Sequence, residues 1–182
     1  LDDDTLDKHV WRLSEHAIVD PLDESGAMLC FRHALIHQAA YQSLTQAERR
    51  RAHSFVADAL VGAGRADTEP QLAAHHLAAA GRYGEAVAMW RNAARTARRH
   101  SRFREAAGHE REIIALLPHL EEDHRDSVEL KARSRLAMSL TAVDQGAPEI
   151  LGEATRAQDL ARAYGDERTV LDTYLILLPW WH

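Results

Sequence analysis

Apolar residues recur along this chain mostly at spacings of three and four, the period of one face of an α-helix. Leu6, Val10, Leu13 and Ala17 begin the pattern and predict a short helix over roughly 5–16. Ile18 and Val19, then Met28, Leu29, Cys30 and Phe31, run apolar on either side of Pro21 to Gly26, which predicts two short strands about a turn. From Arg32 the period is helical. A helix over about 32–44 is expected to bury Leu35, Ala39, Ala40 and Leu44. One over about 46–62 is expected to bury Ala52, Phe55, Val56, Ala59 and Leu60. Thr45 with Glu48 has the spacing of a capping box, and Gly62 with Gly64 stops the second of these helices. Pro70 suits the first turn of a helix over 69–80 that ends at Gly81. Further helices are expected over roughly 84–99, 102–117, 125–142, 149–164 and 167–178, with Pro118, Gly146, Pro148 and Gly165 at the breaks. Glu121 to His124 reads as a loop or a frayed helix start.

The order of large and small residues within these helices is that of a tetratricopeptide-like pair. Gly81 turns the chain, Tyr83 packs over the turn, small Ala86 and Ala93 let helices approach, and Trp90 fills the gap beside them. Phe103 and Ala106 repeat the motif, and Pro118 closes a unit of about 34 residues. A more divergent pair carries Ala132, Leu136 and Ala137, then Ala154, Ala157 and Ala161. The expected fold is therefore all-α, a tetratricopeptide-like helical repeat superhelix, with the hairpin near its N-terminal end. Pairs of this kind bury a continuous core between neighbours.

Composition sharpens this reading. Aromatic residues make up only 6% while alanine dominates the apolar set, which suits helices packed closely on each other. A formal charge of −6 argues against general attraction to nucleic acid or anionic membrane. No apolar run approaches the roughly 20 residues that span a bilayer. The single cysteine, Cys30, excludes an internal disulfide, permits a reducing cytoplasm and is expected to be an inert core thiol. The chain starts without Met and stops at Trp180, Trp181 and His182, so a piece of something longer is expected.

A specific resemblance lies in Phe31, Arg32, His33, Ala34 and Leu35, then Tyr41, Ser43 and Leu44, then Arg49, Arg50 and His53. This block resembles a junction in large bacterial signalling ATPases of the AAA-type, STAND class. In those proteins an ATPase module ends in a winged-helix-like domain and a tetratricopeptide region follows. Many carry a class III adenylate or guanylate cyclase domain, and others a LuxR-type DNA-binding domain. Ala73, His75 and His76, Ala79 to Gly81, Ala147 to Glu149 and the tail from Leu171 to Trp180 resemble later family segments. The resemblance implies that 1–31 is the end of the winged-helix-like domain with 18–31 as its wing hairpin, 32–66 the junction helices and 67–182 the repeats. It also implies a non-catalytic regulatory and protein-interaction segment in the cytoplasm. Its partner would be a protein, a peptide or the ATPase module of the same chain, and ATP and Mg would belong to that module.

Candidate chemistry within the chain is sparse. There is no G-x-x-x-x-G-K-[ST] phosphate loop. The 12 histidines include His33 and His37 four apart, adjacent His75 and His76, and His119 and His124 around an acidic stretch, but no H-E-x-x-H. A zinc site needs three or four convergent ligands, so no metal is expected, and His33 and His53 are expected to cap or bridge helix ends. Ser43, Ser54 and Ser101 lack a glycine-rich elbow, so no catalytic or cofactor-binding residue is expected. Arg95, Arg98 and Arg99 end a helix and complement its dipole. Arg49, Arg50 and Arg51 sit at a helix start, where the dipole disfavours cations, and are candidates for salt bridges within or between domains. The alternative, a winged helix that contacts DNA as part of a LuxR-type regulator, calls for a basic recognition helix. The first helix instead carries Asp2, Asp3, Asp4, Asp7 and Glu15 against Lys8 and Arg12.

Overall fold

The computed structural model describes residues 3–21 and 29–180. Among the described residues the chain is all-α apart from one two-stranded hairpin, and it divides into two compact units, Leu1–Arg49 and Arg50–His182.

The first unit holds α1 (Asp3–Glu15), β1 (Val19–Pro21), β2 (Leu29–Phe31), α2 (Ala34–Ser43) and the first turn of α3 (Gln46–Gly62). The strands pair antiparallel, with Asp20 opposite Cys30 and Val19 opposite Phe31. Arg32 locks the open end through a two-pronged contact, donating from Nε and Nη2 to the Asp20 carboxylate at 2.9 and 2.6 Å. The expected turn and Met28 lie outside the described residues. Cys30 is half-buried, not a core thiol, and its strand belongs to a two-stranded sheet with no further strand among the described residues. The expected burial along α2 is also corrected. Leu35 is 77% exposed, Ala39 and Ala40 are exposed, and only Leu44 is partly covered. Periodicity marks an apolar face, but burial needs a facing element, and no residue of α2 is buried. The capping box does form. Glu48 accepts from the Thr45 backbone N–H at 2.7 Å, and Thr45 Oγ1 accepts from the Glu48 N–H at 3.3 Å.

The second unit contains the rest of α3, a one-turn α4 (Arg65–Thr68), α5 (Pro70–Ala80), α6 (Tyr83–Arg99), α7 (Phe103–Leu116), α8 (Glu122–Val143), α9 (Glu149–Tyr164) and α10 (Glu167–Leu177). From α5 to α10 each helix packs on its successor. The central core gathers Ala74, Val87, Trp90, Ala93, Ile113, Leu117, Val128 and Ala132. Ala86 and Ala106 are fully buried. Gly81, Tyr83 and Phe103 are half-buried. Pro118 is exposed, not core, because it sits in the 3-10 turn Leu117–His119 whose inward residue is Leu117. The acidic stretch Glu121 to His124 is the N-terminus of α8, where carboxylates favour the helix dipole.

The inward face of α3 keeps the expected Leu60 but otherwise differs. Ala57 and Leu60 are buried, while Ala52, Val56 and Ala59 are exposed and Phe55 is 76% exposed. The helix carries two overlapping periodic sets, and the one aligned with His53 meets Leu77 and Ala86.

Three inter-helix turns share one hydrogen-bond pattern. At Gly81, Ser101 and Gly165 the backbone is left-handed, with φ of 83, 56 and 68°. In each, the N–H of the next residue reaches back to the carbonyl five earlier: Arg82 to Leu77, Arg102 to Ala97, Asp166 to Ala161. This is the Schellman closure of a helix C-terminus.

Candidate interaction groove

A groove of about 710 Å³ opens between α5 and α7 in the second unit. Trp90 of α6 and Leu72 of α5 supply its apolar surface. Trp90 is nearly buried, and the His109 ring stacks on it with centroids 5.2 Å apart. His109, Glu105 and Glu112 follow one face of α7, with Gly108 among them. A Cβ added at Gly108 would meet nothing within 4 Å, so the wall is open there. Glu105 forms an ion pair with Arg102 Nη1 at 3.0 Å and lies 3.6 Å from His109 Nε2. Arg65 and Glu69 pair with each other on the opposite wall. Glu112 has no ion-pair partner among the described residues, so the groove keeps uncompensated negative charge. Its lining contains no hydroxyl or thiol. What it offers is apolar contact, ring stacking and acidic hydrogen-bond acceptors.

Behind this wall three histidines meet. His75 lines the groove and sets its ring edge-on to His76 at 5.9 Å. His76 Nδ1 lies 2.9 Å from His53 Nδ1, so one ring donates and the other accepts, which requires at least one neutral ring. Burial, then neighbouring histidine charge, holds both His53 and His76 below the ordinary histidine range. His53 thus bridges α3 to α5 from mid-helix. No cluster of three or more metal-ligating side chains occurs among the described residues.

The other residues of the sequence block fall into the two units. Phe31, His37 and Tyr41 form a chain of tilted rings at 5.1 and 6.3 Å, and the Arg49 guanidinium lies 5.0 Å over Tyr41. Arg49 also donates to the carbonyls of Leu44 at 3.0 Å and Gln42 at 3.3 Å. A cation at the start of α3 is thereby placed at the C-terminal end of α2, where the dipole favours it. His33 occupies the N-cap of α2 with extended backbone, but its ring makes no capping hydrogen bond. Arg50 lies beside Gly81, and Arg51 is exposed. Sequence reasoning missed the groove residues Arg65, Glu69, Leu72, His109 and Glu112. The available signal was Glu105, His109 and Glu112 at helical spacing around an interior glycine.

Comparison with protein-family models, curated proteins and solved structures finds no match to this chain. Among the described residues no helix is long and apolar enough to cross a membrane.

Proposed function

We propose that this chain is a non-catalytic, cytoplasmic regulatory segment of a larger bacterial ATP-binding signalling protein of the STAND class, and that its second unit is a tetratricopeptide-like interaction module. The observation that carries the binding role is the α5–α7 groove, an apolar floor at Leu72 and Trp90 edged by Glu69, Glu105 and Glu112. Its charge commits it to one kind of occupant, a peptide segment of a protein partner with an apolar anchor beside a basic residue. The anchor covers Leu72 and the Trp90 edge, and the cation faces Glu112. The block from Phe31 to His53 supports the placement at a junction, with Arg50 and Arg51 as contacts toward the ATPase module.

Gly108→Leu tests the groove, since a Cβ at this position meets nothing within 4 Å and the added side chain starts in open space at the groove wall. Peptides selected from a random library on the full chain should pair an apolar anchor with Lys or Arg. They should lose about tenfold or more in affinity, roughly 1.4 kcal/mol, on the G108L chain at unchanged helix content. Selected peptides that bind both chains equally would remove the groove from this role. A phosphate loop encoded upstream of Leu1 supports the parent reading, and an upstream region without one refutes it.

A further inference from the structure

A smaller cavity, of about 260 Å³, opens between α6 and α8. Arginine dominates its lining: Arg91, Arg95 and Arg98 from α6 and Arg135 from α8, with Ala88 and Asn92 between them. On α6 these positions fall at intervals of three and four, so one helix face delivers three guanidinium groups.

The protein balances little of this charge. Arg98 Nη1 donates to Glu110 Oε1 at 2.7 Å, and Glu110, on α7, is fully buried. Among the described residues Arg95 reaches only the neutral Oδ1 of Asn92, at 2.8 Å. Arg91 and Arg135 have no carboxylate within ion-pair distance among the described residues. Glu110 Oε2 is buried with no hydrogen-bond partner. Arg91 is half-buried, and burial together with the Arg135 charge draws it below the usual arginine range against the opposing pull of the Glu110 charge. A guanidinium nevertheless stays charged in a protein. Clustered, partly desolvated cations without acceptors destabilise the fold that holds them. If the cluster served only to neutralise Glu110, one arginine would suffice. Three further guanidinium groups around the same cavity are accounted for by an anion that enters from solvent.

We propose that this arginine pocket is a binding site for the phosphate group of a phosphomonoester. A phosphomonoester carries about −1.5 to −2 charge at neutral pH and presents three acceptor oxygens. Guanidinium forks match those oxygens two at a time. The cavity holds one phosphoryl group and the first atoms of its carrier. No aromatic side chain lines it, so a nucleobase has no surface to stack on. Glu110 is a positioning residue here, holding Arg98 at the cavity wall.

The full chain is titrated calorimetrically at low salt with two probes, a short phosphoserine peptide and a sugar phosphate. Saturable one-site binding of either probe is expected. Tighter binding of the peptide assigns the phosphate to a protein partner, and tighter binding of the sugar phosphate assigns it to a small molecule. Arg91→Gln with Arg135→Gln should weaken binding about tenfold or more. Arg99→Gln with Arg162→Gln makes the same net-charge change at exposed positions outside the cavity and should leave affinity within about twofold. Both double variants should keep the helix content of the parent. Failure of both probes to bind, or equal losses in the two double variants, would overturn the proposal.

Discussion

Ser101 holds a left-handed backbone, φ 56°, at the place where Gly81 and Gly165 stand in the matching turns. A Cβ in that region costs roughly 1–2 kcal/mol, partly offset by the extra freedom glycine has when unfolded. Ser101→Gly is expected to stabilise the chain by about 0.5–1 kcal/mol, read as a higher urea midpoint at constant slope. Arg98 works in the other direction. Arg98→Ala leaves Glu110 buried without its ion-pair partner, and a loss of about 3 kcal/mol is expected. Arg98→Met with Glu110→Leu should recover most of that loss, since replacing both members of a buried pair is often neutral. Chemical denaturation of the three chains checks both expectations. At this scale the sequence was informative where chemistry is local. Thr45 with Glu48 could be read as a cap because both partners lie in one turn. Glu110 with Arg98 could not, because the pairing depends on which faces of α6 and α7 meet.

Helix limits were legible for a similar reason. Pro70, Gly81, Pro148 and Gly165 act on their own backbone, and the observed ends lie close to them. The phase of a helix is a different matter. Of the expected set Ala52, Phe55, Val56, Ala59 and Leu60 only Leu60 is buried, with Ala57 beside it, and only the packed neighbour decides which positions face inward. The short α4 escaped notice because four residues are too few to show a period. The groove was hidden because Leu72, Trp90 and His109 come from three helices. Within α7, Gly108 weakens the helix without easing any contact. Gly108→Ala should therefore stabilise the chain by about 0.5–1 kcal/mol, visible as a raised melting temperature in circular dichroism.

Over the whole molecule, acid should act in two stages. His53 and His76 have folded pKa values below the ordinary value of about 6.5. The unfolded chain then binds more protons, so stability is full above that pH and falls as pH drops through it. Glu129, held low chiefly by Arg156 and also by Arg133, and Glu149, held low by Arg111, behave as depressed carboxylates. Their contribution is present above about 4.3 and is lost as pH falls below it. These pairs join α8 to α9 and α7 to α9, so the second stage loosens helix packing. Glu110 opposes the trend, because burial raises its pKa and protonation relieves it. Melting temperature against pH should show a first decline below about 6.5 that His76→Leu diminishes, and a second below about 4.3 that it leaves in place. A single decline unaffected by H76L would contradict the histidine assignment.

The three matching turns also bear on how the chain reaches its fold. Each is closed by hydrogen bonds among residues within five positions of one another, and each joins two helices that pack together. The contacts that define the second unit are consequently near-neighbour contacts along the chain, which is the condition for rapid folding. During synthesis α5 can dock α6 and then receive α7 before the C-terminal helices have left the ribosome. A lesion in one turn should slow its own joint and leave the earlier ones free to form. The repeated left-handed residue, a detail of three backbone angles, thereby keeps each joint local to the two helices it connects.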